Sequence, residues 1–349
     1  MSTEQPNPEF IKRVEALEAR FREMQDDISL SWARKAGDDL GAELRGLPAS
    51  IGQLRVRGYA FRSFLERKAD VLAQQWAELR PRIVEATEAR AKDLRYKADL
   101  FQQRLPFLRY NKSEVELSAA EAALQDLEAR IKTAGEELQE MGKTIEENVK
   151  QTTGQVKELA WVLDQAEGAS FRLQPGESVV SAAGGQWMTS EKEGPKGVLF
   201  LTDERVLFER KEEVVTKKVL FVAKEKQKFQ ELQWEAPLGR VQSVQASEKG
   251  GAILGIGKKE ILEFRFGGGT KVDAAVLRLD ADSAAWQALI ARAKSGDLAA
   301  ERAIPKGQAA PAAAPAALKC AVCGATLTPP AGKAAAEVKC EFCGTISRL

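Results

Sequence analysis

Apolar residues recur at helical spacing through the first half of the chain, from residue 8 to about residue 168. The first stripe steps by four and three residues and predicts a helix that begins near Pro8. Leu47-Pro48-Ala49-Ser50 predicts a break, and a second helix then runs from about Ser50 to Arg104 with a kink at Pro81. The apolar positions of these two helices are Phe10, Val14, Leu17, Phe21, Met24 and Ile28, then Leu54, Phe61, Leu65, Leu72, Trp76, Leu79 and Ile83.

A third helix carries the most regular apolar pattern in the chain. Ser113-Glu-Val-Glu116 fits a capping box that starts this helix, and leucine or isoleucine then recurs every seven residues. Gly135 and Gly142 weaken the pattern, but so long a helix must bury its seam against another helix. We therefore expect a coiled coil, packed as an antiparallel hairpin within one chain or as a dimer between chains. The seam residues are Leu117, Leu124, Ile131, Leu138 and Ile145.

From about residue 171 the apolar pattern changes from helical to alternating, and glycine and valine become more frequent. Gly197–Phe208 places two apolar runs around Thr202-Asp-Glu-Arg205, which predicts a tight β-hairpin. The series ends with an amphipathic helix over Asp282–Lys294. Several strands followed by one helix predict a small α+β domain. Further strands are predicted at residues 178–182, 214–222, 240–246, 260–266 and 274–280.

Residues 171–296 resemble a bacterial pleckstrin-homology-like or GRAM domain. The likeness is carried by Leu173-Gln-Pro-Gly-Glu177, the Gly197–Phe208 hairpin, Pro237–Val244 and Trp286 in the last helix. Such membership implies a small barrel with a C-terminal helix, which binds lipid or protein and has no catalytic activity. These residues are structural positions of the barrel, so the resemblance leaves the choice between lipid and protein open.

After Gly296 the chain becomes rich in alanine and proline, which predicts a semi-extended linker. The predicted fold class is therefore multi-domain, with an all-α part, a small α+β part and a zinc ribbon. Its parts are a coiled-coil or helical-hairpin region over residues 8–168, a PH/GRAM-like barrel with a C-terminal helix over 171–296, a linker over 297–317 and the zinc ribbon over 318–349.

All four cysteines of the chain form two pairs near its C-terminus, with sixteen residues between the pairs. Two such CxxC pairs can present four thiolates to one tetrahedral ion, which is typical of a structural zinc site. A rubredoxin-type iron centre uses similar pairs, and disulfides would require an oxidising compartment. Four thiolates leave no open position for substrate, so we expect zinc to stabilise the fold of the tail. The predicted zinc ligands are Cys320, Cys323, Cys340 and Cys343.

Composition narrows the functional classes. The chain contains no histidine, which excludes Ser-His and Cys-His triads and histidine-ligated catalytic zinc. Its 52 basic and 51 acidic residues leave a formal charge of +1, so an anionic partner would have to meet a local patch. The first residues lack a basic segment followed by an apolar one, and no apolar run is long enough to span a membrane. We expect a cytoplasmic protein that is not an enzyme.

Two segments of the middle domain are candidate contacts for an anionic membrane surface or a partner. The first holds lysines interleaved with glutamates between residues 211 and 228, and the alternative is a solvated loop between strands. The second is an apolar, glycine-rich loop between residues 250 and 259, which either dips into a bilayer or packs on the barrel. The candidate residues are Lys217, Lys218, Lys224, Lys226 and Lys228 in the first segment, and Ile253, Leu254, Ile256, Lys258 and Lys259 in the second.

The sequence as a whole indicates a cytosolic adaptor or scaffold, peripheral at the membrane if the lysines or the loop bind lipid. It would associate with itself through the coiled coil, dock on a membrane or protein through the middle domain, and recruit a protein partner through the zinc ribbon. A nucleic-acid-associated factor that uses the ribbon is the first alternative, and a non-catalytic subunit of an enzyme complex is the second. No small-molecule substrate is implied.

Replacing Cys340 with serine should abolish zinc binding, because a structural site needs all four thiolates. Zinc content per chain, measured by elemental analysis of the purified protein, should fall from one to none. Thermal unfolding of the rest of the chain should be unchanged, since the linker separates the site from the other domains. Unfolding of the whole protein would contradict the predicted linker.

Overall fold

The computed structural model describes most of the chain. Contacts divide the chain into two compact units, which we call the helical unit and the sheet unit. The helical unit consists of Met1–Gly52 and Arg62–Gln165, and the sheet unit consists of Gln53–Phe61 and Ala166–Leu349. The described residues are 8–190, 193–219, 222–250, 259–308, 337–339 and 346–348.

The helical region contains five helices, two of them very long. Helix α4 has 48 residues and helix α5 has 54, so each extends over roughly 70 to 80 Å. No helix among the described residues is both long and apolar enough to cross a membrane. The helices are α1 (Pro8–Glu23), α2 (Gln25–Ile28), α3 (Ser31–Val56), α4 (Phe64–Asn111) and α5 (Glu114–Glu167).

The predicted break at Leu47–Ser50 is wrong, because α3 continues through Pro48. Leu44, Leu47 and Ile51 are at most 3% exposed, so the same buried stripe extends on both sides of the proline. The helix ends instead before Gly58, whose φ of 89° falls in the left-handed region that glycine adopts easily. Helix α4 ends at Asn111, and the next residue, Lys112, has a φ of 50° in the left-handed region.

The apolar seam of α5 is buried inside a single chain. Leu117 and Leu124 are 0% exposed, and Leu138 and Ile145 are 5% and 7% exposed. Ion pairs join α1 to α5 beside this core, with Arg13 Nη2 2.7 Å from Glu121 Oε2 and Arg20 Nη2 2.7 Å from Glu128 Oε2. The chain's own helices therefore already bury the apolar seam of α5. Self-association remains a prediction and would need another surface.

The main sheet of the sheet unit is antiparallel and has seven strands, in the order β4-β3-β2-β1-β7-β6-β5. Helix α6 (Ser283–Ser295) packs beside β5, where Gln287 Oε1 accepts from the Ala246 N–H. Asp282 caps this helix by accepting from the Ala285 N–H at 3.0 Å. The strands are β1 (Val179–Trp187), β2 (Lys196–Thr202), β3 (Arg205–Val219), β4 (Val222–Pro237), β5 (Val241–Lys249), β6 (Lys259–Phe266) and β7 (Ala274–Leu279).

The predicted fold class is wrong. In place of a helical hairpin followed by a small PH/GRAM-like barrel, the described residues form one N-terminal region of five helices followed by a seven-stranded antiparallel sheet. The sheet has two ends, β4 and β5, so hydrogen bonding among the described residues does not close it into a barrel. The predicted strand at residues 214–222 is also wrong, because it covers the end of β3 and the start of β4.

The four predicted zinc ligands lie outside the described residues. Near them the structure describes two three-residue strands, Glu337–Lys339 and Ile346–Arg348, which pair antiparallel. Zinc binding by the cysteines therefore stays a prediction.

An aromatic cluster forms the core on one face of the sheet. Trp234 of β4 is 1% exposed, and its ring centroid lies 5.4 Å from Phe266 and 6.0 Å from Phe264, both on β6. Phe208 of β3 stacks on the same tryptophan at 6.1 Å. Since β4 and β6 are far apart in the strand order, these contacts show that the sheet bends strongly.

Residues 53–61 complete the sheet unit although they precede the rest of it by more than a hundred residues. Tyr59, Ala60 and Phe61 are at most 2% exposed. Tyr59 donates from its hydroxyl to the Val180 carbonyl at 3.1 Å. The Ala60 carbonyl accepts from the Ala303 N–H at 2.7 Å, and the Arg302 guanidinium lies 4.8 Å from the centroid of the Phe61 ring.

A fragment of residues 166–308 should be destabilised, because it lacks the buried side chains of Tyr59 and Phe61. Burial of one large apolar side chain contributes about 1.5 to 3 kcal/mol. Adding a synthetic peptide of residues 53–61 should raise the melting temperature of the fragment in calorimetry. A control peptide with both aromatic residues replaced by serine should have no such effect. If both peptides leave the melting temperature unchanged, residues 53–61 do not stabilise the unit.

Candidate functional site

Strands β3 and β4 extend well beyond the rest of the sheet. Strand β2 pairs with β3 only from Val206 to Arg210, whereas β4 pairs with β3 along its whole length. Beyond Arg210 the pairing continues from Lys211 opposite Gln230 to Val219 opposite Val222. We call residues 211–219 and 222–230 the β-arm. It is a two-stranded ribbon of roughly 30 Å.

The β-arm contains all five candidate lysines of the predicted lysine segment. Lys217 and Lys218 lie on β3, and Lys224, Lys226 and Lys228 lie on β4. The segment is therefore a pair of hydrogen-bonded strands, and its interpretation as a loop between strands is wrong.

The register separates four of the five lysines into two groups. Lys217 lies opposite Glu225, and Lys228 lies opposite Glu213, with Lys228 Nζ 3.5 Å from Glu213 Oε1. Lys218 instead lies opposite Ala223. In the same way, Lys226 lies opposite Val215. The register thus sets one pair of lysines against carboxylates and another pair against small or apolar residues.

The second predicted contact segment falls mostly outside the described residues. Lys259 is the first residue of β6, is exposed and lies opposite Lys249 of β5. Ile253, Leu254, Ile256 and Lys258 lie outside the described residues, so the membrane or packing role of this loop stays a prediction.

Polar contacts of Arg210 and Glu209 fix the root of the β-arm. Arg210 Nε donates to Glu212 Oε1 at 2.7 Å, and its guanidinium lies 4.3 Å from the centroid of the Phe229 ring. Glu209 is 0% exposed, and its Oε1 accepts from the Ser170 N–H at 2.5 Å. Glu209 Oε2 has no hydrogen-bond partner among the described residues.

A buried ion pair lies at the start of β3. The side chain of Arg205 is 8% exposed and that of Glu177 is 0% exposed, with Arg205 Nε 2.8 Å from Glu177 Oε1. The same guanidinium donates to the Arg172 carbonyl at 2.6 Å and pairs with Glu235 on β4. Thr202 donates from its hydroxyl to Glu177 Oε1 at 2.6 Å. One arginine therefore ties the segment before β1 to β3 and β4.

Charge pairing keeps the Glu177 carboxylate ionised despite its burial. Loss of solvation opposes ionisation, but hydrogen bonds from Arg205, the Gln174 N–H and Thr202 outweigh it and lower the pKa of Glu177. The sequence pattern gave no sign of this pair, because the two residues lie 28 positions apart in two separate turns.

Taken together, these side chains form no acid, base or nucleophile arrangement around a shared cavity. These residues form the root of the β-arm and a two-stranded ribbon whose sequence is rich in lysine. Such a ribbon can contact an extended anionic surface at several points.

Comparisons with known proteins give only distant similarity. No protein-family model matches the chain, and no curated protein matches it. The DH/PH domains of p115-RhoGEF align over 83% of this chain and 97% of theirs, with 12% identity and a TM-score of 0.24. The DH/PH fragment of PDZRHOGEF, solved in complex with human RhoA, covers 83% and 96% with 12% identity and a TM-score of 0.26. At such low TM-scores these similarities carry no inference about this chain.

Replacing Arg205 with methionine should destabilise the protein by about 3 to 5 kcal/mol at neutral pH, since it leaves Glu177 buried without its partner. The folded pKa of Glu177 lies below its unfolded value, so the pair stabilises the fold at neutral pH. This contribution is lost as the pH falls through the folded pKa. The difference between the two proteins in urea unfolding should therefore shrink in acid.

Arg210→Met is the matched control for this experiment. The side chain of Arg210 is 26% exposed and pairs with a partly exposed glutamate, so its loss should have an effect of about 1 kcal/mol or less. Equal destabilisation by the two substitutions would contradict the special role of the buried pair.

Proposed function

We propose that this chain is a non-enzymatic cytoplasmic adaptor, and that the β-arm is the element with which it docks on an anionic lipid surface. The observation that carries the proposal is the pairing of β3 with β4, which arranges the lysine segment as a ribbon beyond the sheet. The complete absence of histidine supports the non-enzymatic part.

The charge of the β-arm supports an anionic surface. Between residues 211 and 228 the chain has six lysines and three glutamates, while its overall formal charge is only +1. The excess of positive charge is therefore local. A lysine near an anionic leaflet contributes about 1 kcal/mol, so several together give reversible binding.

The shape of the β-arm favours an extended anionic surface as its partner and disfavours a single small anion. Lysines spaced along a ribbon of roughly 30 Å contact several headgroups at once, and each contact is weak. Attraction of this kind is screened within about 8 Å at physiological salt, so the lysines must approach the surface closely. Binding should consequently decrease steeply with ionic strength.

The cysteine pairs complete the proposed adaptor. With one zinc ion held by Cys320, Cys323, Cys340 and Cys343, the C-terminal segment would present a folded surface to a protein partner. A nucleic acid is the other extended anion that a lysine ribbon could contact. Binding to vesicles and binding to duplex DNA distinguish these two partners.

Replacing Lys218 and Lys226 with glutamine should weaken binding to vesicles that contain phosphatidylserine by about 30-fold, because about 2 kcal/mol of attraction is lost. Lys217→Gln/Lys228→Gln is the matched control, since it changes the net charge equally but removes lysines that lie opposite glutamates. The control should weaken binding less. Co-sedimentation of the full chain at low and high salt measures both effects.

Three outcomes would contradict the proposal. Wild-type protein that does not sediment with phosphatidylserine vesicles at low salt would exclude lipid docking. Undiminished binding of the Lys218→Gln/Lys226→Gln variant would mean that the β-arm is not the docking element. Retention on duplex DNA without vesicle binding would favour the nucleic-acid alternative.

A further inference from the structure

The helical unit contains an apolar cavity of about 270 Å³ between α3, α4 and α5. Its walls include the indole rings of Trp32 and Trp76 together with Leu40, Ile83 and Leu138. Apolar walls with a few polar groups at the opening are typical of sites for small molecules. The volume is slightly below the usual range for such sites, so a ligand must be compact.

Two glycines leave space beside the large side chains of Trp76 and Ile83 in this cavity. A Cβ added to Gly37 would lie 3.6 Å from Cη2 of Trp76, and one added to Gly142 would lie 3.8 Å from Cδ1 of Ile83. Both glycines line the cavity and lie inside helices, where glycine is normally unfavourable. Gly142, which weakens the apolar pattern of α5, is therefore one of the residues that keep the cavity open.

Carboxylates surround the opening of the cavity. Glu146 is paired with Lys150, and Glu43 accepts from the Thr153 hydroxyl at 2.6 Å. Asp39 makes no hydrogen bond or ion pair with any residue that the structure describes, and it is exposed at the opening. The residues that line the cavity include three carboxylates and one ammonium, which leaves about two negative charges. The Arg45 guanidinium lies nearby without lining the cavity, since a Cβ added to Gly41 would lie 3.4 Å from Arg45 Nη1 and 3.1 Å from Nε1 of Trp76.

We propose that this cavity binds a compact organic cation of the quaternary ammonium class. Methyl groups on such a cation match the apolar walls, and its charge matches the carboxylates at the opening. Indole rings attract ammonium groups that have lost part of their hydration. A hydrated divalent metal ion fits less well, because it prefers oxygen ligands on all sides. The proposal is independent of the β-arm, so either can fail without the other.

The first test compares choline with 3,3-dimethylbutan-1-ol, which has the same shape but no charge. Titration calorimetry on the full chain should show choline binding roughly tenfold more tightly than the neutral compound. Benzyltrimethylammonium serves as a second, larger cation. Failure of both cations to bind, or equal binding of the neutral compound, would overturn the proposal.

The second test uses neighbouring aspartates. Asp39→Asn should weaken choline binding several-fold because it removes a carboxylate at the opening. Asp38→Asn is the control, since Asp38 pairs with Arg80 at 3.0 Å and does not line the cavity. Equal effects of the two substitutions would contradict the assigned position of the ligand.

The third test fills the cavity without disrupting the fold. Gly37→Ala/Gly142→Ala adds two methyl groups at ordinary contact distances, and alanine favours the helix, so the melting temperature should rise. Gly46→Ala/Gly52→Ala is the control, because a Cβ there meets nothing within 4 Å. Both pairs should stabilise the protein, but only the first should weaken choline binding. Undiminished binding in the stabilised first pair would overturn the proposal.

Discussion

The sheet unit depends on the buried pair of Arg205 and Glu177. Two charges removed from water are stable only when their hydrogen-bonding groups are satisfied, and here one guanidinium contacts two carboxylates and a backbone carbonyl. These contacts come from the segment before β1, from β3 and from β4. The pair therefore fixes where β3 begins and which residue of β4 lies beside it. The pairing of β3 with β4 continues from there into the β-arm, where the register shifts between Val215 and Lys217 and again between Lys217 and Lys218.

In the helical unit, the internal burial of the α5 seam sets the surfaces that remain for partners. A seam of exposed leucines would have made association with another chain the main property of this region. Because Leu117, Leu124 and Leu138 are buried by the chain's own helices, that property is absent from the seam. The helices enclose a cavity instead. A region of long helices can thus provide a ligand-binding cavity as well as separate two parts of a protein.

Local signals in the sequence predicted local structure well. Ser113 does cap α5, since its hydroxyl accepts from the Glu116 N–H at 3.4 Å, and Asp282 caps α6 as its position at the predicted helix start suggested. Pro48 was misleading because tertiary burial of the stripe around it outweighs the loss of one backbone hydrogen bond. Strand β4 was missed because its lysines and glutamates hide the alternation of apolar residues. The buried ion pair and the cavity depend on residues that are distant in sequence, which a single sequence does not reveal.

The position of residues 53–61 has a consequence for synthesis of the protein. The Ala60 carbonyl bonds to the Ala303 N–H, so this segment leaves the ribosome some 240 residues before its partner. At typical rates of translation, Tyr59 and Phe61 would stay exposed for roughly 12 to 50 s. During that time the helices can form from nearby contacts, whereas the sheet waits for almost the whole chain. A newly made chain therefore exposes this apolar segment before the residues that bury it have been synthesised.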